Sequence, residues 1–375
     1  MRNTAIAALL LTVFSTSALA LDNVTIFGTV DMGYRWSGKN IDPTVGSQSR
    51  IDSGTSVPSR LGFQGSEYIG NGLKASFVLE AAVDAATGQL TGGGGFSRQA
   101  FVALGGKFGR VALGRQYTPG YLLTSEIDPF SSVTVGQYNN VYLTEYRWDN
   151  QATYFSPDWQ GFSVSAAYTA NGYGQESIAN RGSGAVGDVR GLSVVPQYRN
   201  GPLLLGVHLQ ELSARTSGLD ESGAPVAVSY DGKKVRVYEA GGTLDLGVAK
   251  LAALYGVRRA GTADFSPDTG ALAGKNSRQW LVGATLPVGS HGTVLTSYVR
   301  RSTELADGAG DAKADQWAVG YEYALSKRTA LYTTYSSVNN NAAGRDAGFI
   351  SSVGAGYNPG NGYQRSAAAG IRHNF

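Results

Sequence analysis

The sequence predicts an all-β protein, a transmembrane antiparallel β-barrel of 16 strands, on three observations. From residue 24 onward apolar and polar residues alternate with a period of two, which is the period of a strand whose faces meet different surroundings. The predicted strands are about 10 residues long, the length that crosses a bilayer at a tilt. Short and long gaps between strands alternate along the chain, as they do in barrels with short turns at one end and long loops at the other.

The first 20 residues have the features of a secretory signal peptide. Arg2 supplies a positive charge, Ala5 to Phe14 form a short apolar run, and Ala18-Leu19-Ala20 is a small-residue cleavage site. The apolar run is too short for a membrane anchor. We therefore divide the chain into a cleaved signal peptide, residues 1–20, and a β-barrel, residues 21–375.

The first predicted strand shows the alternation clearly. One face carries Val24, Ile26, Gly28, Val30, Met32, Tyr34 and Trp36, while Arg35 lies on the opposite, more polar face. In Asp315–Tyr323 the same pattern separates Trp317, Val319, Tyr321 and Tyr323 from small and polar residues. Aromatic residues near strand ends suit the two membrane interfaces; they are Tyr34, Trp36, Trp148, Tyr154, Trp159, Tyr321 and Tyr323.

Two details fit the pattern less well. Pro196 falls inside the predicted strand Arg190–Arg199, and because every strand of a closed barrel is internal, we expect a β-bulge there. In Gly109–Tyr117 and His291–Arg301 the pattern does not decide which face points to lipid.

Composition excludes several classes of protein. Charged residues make up 16% of the chain, which suits a barrel with an apolar outer face. Cysteine is absent, so the chain is neither a disulfide scaffold nor a thiolate metal protein. Three histidines without metal spacing or a nucleophile motif predict no enzyme, no metal and no cofactor. The basic clusters are too small for a nucleic-acid partner.

The sequence also resembles a known family, the general diffusion porins of Gram-negative outer membranes, of the β-proteobacterial type. The resemblance covers the whole chain after the signal peptide. It rests on segments that occur in the family's order: Val24–Gly28, Ser59–Glu67, Arg98–Leu104, Phe108–Gly109, Gly114–Gln116, Arg147–Asn150, Tyr154–Pro157 and Gly370–Phe375.

The resemblance implies a location, an assembly and a function. It implies a homotrimer of 16-stranded barrels in the outer membrane, in contact with its lipid and lipopolysaccharide. The expected function is passive diffusion of ions and small hydrophilic solutes through a water-filled channel. The terminal Phe375 matches the residue that the barrel-assembly machinery recognises during insertion.

The resemblance also implies where the channel is narrow. The third long gap, Thr118 to Tyr146, has 29 residues, and in the family this loop folds inward and narrows the pore. Its Asp-Pro-Phe motif is matched here, so Glu126 and Asp128 are the expected acidic side of the constriction. The family's basic wall positions match Arg60, Arg98 and Arg147, while Arg115 and Arg35 match less closely. The alternation independently places Arg60 and Arg35 on inward faces.

Two other functions remain open at this stage. The barrel could be specific for one substrate, such as a sugar, phosphate or nucleoside, or it could act as a surface adhesin or immune decoy through its external loops. The basic pairs Lys233-Lys234, Arg258-Arg259 and Arg300-Arg301 could contact lipopolysaccharide phosphates or line the channel mouth. The sequence does not choose between these two positions.

Overall fold

The computed structural model describes residues 24–131, 135–170, 172, 189–214, 216–219, 225–228, 234–260, 276–305, 310–347, 351–353 and 362–375. The predicted signal peptide, residues 1–20, lies outside the described residues, as does most of the long gaps 171–189, 214–233 and 260–276. In the described part of the chain, no helix is long and apolar enough to cross a membrane.

The described residues form strands almost throughout. The strands are β1 (Thr25–Asn40), β2 (Gln48–Ser53), β3 (Arg60–Gly70), β4 (Leu73–Asp84), β5 (Gln89–Thr91), β6 (Gln99–Gly106), β7 (Gly109–Tyr117), β8 (Arg147–Phe155), β9 (Phe162–Thr169), β10 (Val189–Asn200), β11 (Leu203–Ala214), β12 (Thr216–Leu219), β13 (Pro225–Val228), β14 (Lys234–Asp245), β15 (Lys250–Ala260), β16 (Ser277–Val288), β17 (Gly292–Glu304), β18 (Asp311–Ala324), β19 (Thr329–Asn340) and β20 (Tyr363–Asn374). The helical segments are α1 (Pro119–Ile127), a 3-10 turn (Tyr138–Asn140) and α2 (Ala342–Asp346).

The main sheet has 16 strand positions, which confirms the predicted number. Eighteen strands belong to it, but β2 and β3 follow one another along β1, and β5 and β6 follow one another along β4. Each of these two pairs therefore fills one position. The remaining two strands, β12 and β13, form a separate hairpin within a long gap.

The sheet closes into a barrel through its two ends. Strand β20 pairs antiparallel with β1 from Thr29↔Asn374 to Asn40↔Tyr363. The last residue completes this seam, because Phe375 and Gly28 exchange two backbone hydrogen bonds of 3.0 and 3.1 Å. Closure leaves no unpaired sheet edge, which is what a sheet in a lipid bilayer requires.

The two faces of the wall differ as predicted. On β18 the side chain of Gln316 is fully buried, while its neighbour Trp317 is 44% exposed. The same contrast settles the two undecided segments: Ala112 on β7 and Val299 on β17 are buried, whereas Leu113 is 54% exposed. The exposed face is rich in large apolar side chains and suits lipid, and the buried, largely polar face lines the barrel interior.

The bulge predicted at Pro196 is wrong. The register between β10 and β11 is the same on both sides of the proline, from Val194↔Leu209 to Gln197↔Gly206, and only the ladder between these pairs is interrupted. A β-bulge occurs instead on β7 between Gly114 and Gln116. Gly114 has a φ of 131° there, a conformation that favours glycine.

Trp148 does not belong to the aromatic girdles, contrary to the prediction. Its side chain is fully buried, and its ring lies over the backbone of Gly191, where a Cβ would come within 2.8 Å of the indole. Other predicted girdle residues are exposed, among them Trp159 at 54% and Tyr34 at 50%. The Trp148 ring therefore packs against Gly191 inside the barrel and not at the membrane interface.

Candidate functional site

The segment between β7 and β8 begins with helix α1. Thr118 caps the helix by accepting a hydrogen bond from the Tyr121 backbone N–H at 3.1 Å, and Pro119 occupies the first helical position, where its missing N–H costs nothing. Leu123 and Ile127 are buried. Leu123 lies against Gly206 of β11, where any side chain would collide with it. The helix is therefore seated on the buried face of the β10–β11 wall.

Two glutamines of distant strands hold the second half of the same segment. Gln316 of β18 donates to the backbone oxygens of Gly136 and Gln137 at 2.9 and 3.0 Å. Gln279 of β16 accepts from the backbone N–H of Leu143 at 2.8 Å and donates to its oxygen at 2.9 Å. Both glutamines lie on buried faces, opposite the exposed apolar side chains of their strands.

Asp128 is enclosed by the segment that carries it. Its side chain is 2% exposed, and its two carboxylate oxygens accept the backbone N–H groups of Phe130 and Tyr138, each at 3.2 Å. Burial raises the pKa of the neighbouring Tyr138 hydroxyl above its usual value, so that phenol is neutral. The structure thus gives Asp128 a role in shaping the segment.

Glu126 of helix α1 contacts the barrel wall near the C-terminal end of β10. Its carboxylate accepts a hydrogen bond from the guanidinium of Arg199 at 2.6 Å, and both side chains are partly exposed. Arg199 is the penultimate residue of β10, directly before a short turn. The two predicted acids are therefore separated in role, because one is buried in the segment and the other is ion-paired to the wall.

The three arginines that the family resemblance pointed to come together around one phenol. The Tyr117 oxygen accepts hydrogen bonds from Arg98 and Arg147, each at 2.7 Å. The Arg147 guanidinium also lies 4.2 Å from the centre of the Tyr117 ring, a cation–π distance. Arg60 lies close enough to interact electrostatically with Arg98 and Tyr117. We call Arg60, Arg98 and Arg147 the arginine cluster.

One carboxylate balances part of this charge. Glu80 of β4 forms a buried ion pair with Arg98. Arg60 makes no ion pair among the residues that the structure describes, whereas Arg98 does. Sequence reasoning missed Glu80 and the role of Tyr117. Glu80 had a detectable signal, since the register places it opposite Gly62, next to Arg60 on the same face.

Aromatic rings connect the arginine cluster to the segment. Tyr117 stacks on Tyr121 with ring centres 4.9 Å apart, and Tyr121 lies 4.8 Å from Tyr146. These three residues lie at the two ends of the segment. There the Thr118 hydroxyl also donates a hydrogen bond to the backbone oxygen of Glu145 at 2.6 Å. The segment's two ends are thus clamped together beside the arginines.

The two less closely matching arginines lie outside the cluster. Arg35 is buried on the inward face of β1, as predicted, and its guanidinium forms an ion pair of 2.5 Å with Asp52. Arg115 pairs with Asp149 and donates to the Ser97 backbone oxygen at 2.6 Å. Among the described residues neither arginine bonds to Tyr117, so Arg35 and Arg115 do not belong to the arginine cluster.

The described residues contain no group of three His, Asp or Glu side chains that could hold a metal ion. The nearest approach to a catalytic arrangement is His208, which contacts Ser193 at 3.1 Å and Glu239 at 2.7 Å. All three groups are buried on adjacent strands, and helix α1 covers the histidine at Gly120. This triad has no described access for a substrate.

Comparison with known proteins identifies the family. A family model for Gram-negative porins matches residues 5–343. Outer membrane porin protein 32 of Delftia acidovorans is 31% identical over 374 residues, covering 96% of each chain. An outer-membrane porin of Bordetella pertussis is 29% identical and covers 95% of this chain and 99% of its own length.

Solved structures agree with these relatives. An anion-selective porin from Comamonas acidovorans matches with a TM-score of 0.71 and 27% identity, covering 94% of this chain and 99% of its own. A Salmonella typhi porin, OmpF, matches with a TM-score of 0.66 at 18% identity, which shows the common fold. The closed 16-stranded barrel and these matches give one conclusion: the chain belongs to the Gram-negative porins, the channel-forming barrels of the outer membrane.

Proposed function

We propose that this porin is a general diffusion channel for small hydrophilic solutes and that its narrow zone prefers anions. The observation that carries the proposal is the convergence of Arg60, Arg98 and Arg147 at Tyr117, with one described carboxylate, Glu80, paired among them. Glu80 pairs with Arg98, and Arg60 makes no ion pair among the described residues, so the charge of Arg60 adds positive potential at this point of the barrel. Rings of charge in a narrow channel set its ion preference.

The segment Thr118 to Tyr146 supports a constriction at this level. It is bonded to the buried faces of β16 and β18, while its two ends lie beside the arginine cluster. We infer that it narrows the lumen between the cluster and the far wall. Narrowing strengthens the field of fixed charges, because low-dielectric walls focus it and exclude water.

The acidic side of this constriction is weaker than the basic side. Asp128 is enclosed within the segment and Glu126 is paired with Arg199, so neither places an unpaired charge opposite the arginines. Glu126, at 38% side-chain exposure, remains the better candidate for an acid that faces passing solutes. We propose Arg60, Arg98 and Arg147 as the basic side, with Arg35 and Arg115 stabilising the wall through their ion pairs.

The structural neighbour supports an anion preference. The Comamonas acidovorans porin is described as anion-selective, and it has 27% sequence identity to this chain over nearly its full length. We extend that property to this chain because the arginine cluster supplies the charge that such a preference needs.

A phosphate-specific channel is less consistent with the structure. Such a channel would carry a ladder of lysines along its lumen. Every described strand lysine instead lies within three residues of a strand end: Lys39, Lys74, Lys234, Lys250 and Lys313. An adhesin or decoy role would be an added property of external loops, most of which lie outside the described residues.

The outer face supports contact with lipopolysaccharide. Four arginines share the outward register of an aromatic residue on the same strand, two to four positions away: Arg236 with Tyr238, Arg259 with Tyr255, Arg278 with Trp280 and Arg300 with Tyr298. By contrast, Arg258 and Arg301 are 4% exposed on the inner face. We propose that the outward row meets anionic lipid phosphates above the aromatic belt.

Assembly completes the proposal. We propose a homotrimer, exported with the help of residues 1–20 as a cleaved signal and inserted by barrel-assembly machinery that recognises Phe375. One OmpT structure from Vibrio cholerae with the same fold is described as a trimer form. The backbone bonds between Phe375 and Gly28 show that this residue also closes the finished barrel.

Reconstitution of the purified protein in a planar bilayer tests the channel. We expect conductance to rise in steps, three closely spaced levels for each inserted trimer, and uncharged sugars of increasing size to define an exclusion limit. Saturation of the current by one sugar or by phosphate at low concentration would instead indicate a substrate-specific channel. A protein that inserts but never conducts would contradict the proposal.

A further inference from the structure

A short loop leaves the barrel wall directly before the first arginine of the arginine cluster. Strand β2 ends at Ser53, next to its partner Met32 of β1, and β3 begins at Arg60, next to its partner Thr29. Between these two pairs β1 has two residues, whereas the other segment has six, residues 54–59. We call these six residues the inner loop. Six residues cannot fit into a ladder opposite two, so the chain leaves the plane of the wall at this point.

The contacts of the inner loop show that it leaves the wall toward the interior. Gly33 shares the inward face of β1 with Asp31 and Arg35, since side chains alternate along a strand. A side chain at Gly33 would come within 2.5 Å of the Thr55 hydroxyl and within 2.8 Å of the Tyr332 hydroxyl. The Thr55 and Tyr332 hydroxyls also form a hydrogen bond with each other. The inner loop therefore covers the inner face of the barrel where β1 meets β20 and β19.

Asp31 holds the inner loop against the wall. Its side chain is fully buried, and its carboxylate accepts hydrogen bonds from the Ser56 backbone N–H at 3.1 Å and from the Tyr332 hydroxyl at 2.8 Å. The Val57 backbone N–H and the Thr55 hydroxyl donate to the same carboxylate, each at 3.4 Å. Hydrogen bonds to a charged acceptor are stronger than those between neutral groups, so a carboxylate fixes the loop more firmly than a neutral side chain would.

The last residue of the inner loop connects it to the arginine cluster. The Ser59 hydroxyl accepts the Asp31 backbone N–H at 3.0 Å and donates to the Asp31 backbone oxygen at 3.1 Å. The Ser59 backbone oxygen accepts the N–H of Val83 on β4 at 3.0 Å. Arg60 follows directly in the chain. The inner loop is therefore fixed to the wall at the level of the arginine cluster.

Two residues of the inner loop are left in contact with solvent. Thr55, Ser56 and Ser59 are buried, whereas Val57 and Pro58 are partly exposed. Because the loop lies on the inner face of the barrel, the space that these two residues meet is the lumen. Neither residue carries a charge, so they add bulk to the channel without adding to its ion preference.

We propose that the inner loop is a second narrowing element of the channel, in which Val57 and Pro58 restrict the size of passing solutes and Asp31 is the positioning residue. The proposal rests on the channel function proposed above. It assigns two tasks to neighbouring parts of one wall: the arginine cluster sets the ion preference, and the apolar residues of the inner loop limit the cross-section.

Labelling of an introduced cysteine tests which space the loop faces. The chain has no cysteine, so Val57→Cys carries the single thiol. In a planar bilayer, a water-soluble methanethiosulfonate reagent should lower its single-channel current about twofold, because the label fills part of a narrow cross-section. A negatively charged label should also lower the chloride-to-potassium permeability ratio, and a positively charged label should raise it. Val30→Cys, which places the thiol on the outward face of β1 beside Asp31, is the matched control, and its current should stay constant.

Removal of the Asp31 carboxylate tests the positioning role. In the Val57→Cys background, Asp31→Asn removes the charge and replaces one acceptor oxygen by an amide donor, so the loop should be held less firmly. The thiol should then react severalfold faster with both the negative and the positive reagent, whereas a change of local charge alone would speed one and slow the other. Tyr332→Phe, which removes one donor to the carboxylate, should show a smaller change of the same kind if Asp31→Asn does not fold. Asp42→Asn, in a loop where the carboxylate bonds Thr44, should leave both rates unchanged.

The outcomes separate this proposal from the channel function on which it rests. A Val57→Cys thiol that does not react, or a label that leaves the current unchanged, would overturn the proposal for the inner loop. Equal reaction rates with and without the Asp31 carboxylate would overturn its positioning role. An unmodified protein that inserts but does not conduct would contradict the channel function instead, and mass spectrometry of the labelled protein would still report whether the thiol is accessible.

Discussion

Replacing Arg60 by glutamine tests the assignment of the arginine cluster most sharply. Arg60 lies on the inward face of β3, near Arg98 and Tyr117, and it makes no ion pair among the described residues. Glutamine keeps much of the side-chain length and polarity and removes one positive charge. Because Glu80 pairs with Arg98, the substitution removes a positive charge that no described ion pair offsets.

The size of the effect follows from Coulomb's law. A unit charge about 6 Å from a passing ion contributes about 0.7 kcal/mol in water-like surroundings. Screening at 0.1 M salt, where the Debye length is about 10 Å, reduces this to about 0.4 kcal/mol. The anion gains this energy and the cation loses it, so the chloride-to-potassium permeability ratio should fall about fourfold. At 1 M salt, where the Debye length is about 3 Å, the fall should be less than about 1.5-fold.

The assay is the reversal potential of single channels in a KCl gradient, measured at both ionic strengths. Arg278→Gln removes an arginine from the outward row and is the matched control, for which we expect no change. Arg60→Lys keeps the charge and should resemble the unmodified protein. An unchanged reversal potential in Arg60→Gln, or an equal change in Arg278→Gln, would refute the assignment.

Three other changes separate charge from structure. Asp128→Asn weakens the hydrogen bonds from the Phe130 and Tyr138 backbone N–H groups. The channel should therefore close at lower voltage, while its reversal potential stays constant. A change in reversal potential as large as that of Arg60→Gln would place the carboxylate in the lumen. Tyr117→Phe keeps the ring but removes the acceptor of two hydrogen bonds from charged donors, each worth about 1.5–3 kcal/mol. Open-channel current noise should therefore rise as the arginines move, and unchanged noise in recordings would contradict this role for the phenol. Deletion of Phe375 removes two backbone hydrogen bonds from the barrel seam, so the folded fraction should fall in a heat-modifiability gel assay; a full yield of folded barrel would show that the seam does not need it.

The wall of the barrel was predictable from the sequence because its physics is local and periodic. Each strand residue faces either lipid or the interior, so the alternation around Trp317 or Tyr34 directly reports the fold. The same reasoning correctly placed Arg60 and Arg35 on inward faces. It fails where a residue is covered by something distant in sequence, as Trp148 is covered by the wall at Gly191.

The segment between β7 and β8 was less predictable, because its contacts join residues that are not neighbours in the sequence. Nothing near Asp128 in the sequence shows that the backbone of Tyr138 will return to bond its carboxylate. Likewise, the pairing of Glu126 with Arg199 joins residues 73 positions apart. Family resemblance identified the three arginines of the cluster, but the partners that orient them, Tyr117 and Glu80, became clear only in three dimensions.

The unmodified protein provides the most direct test of the central claim. In a planar bilayer with a tenfold KCl gradient at low ionic strength, we expect a reversal potential whose sign shows that chloride passes more easily than potassium. This preference should decrease as the salt concentration rises, because screening weakens the field of the arginine cluster. A reversal potential of zero, or one of the sign that indicates potassium preference, would contradict the account.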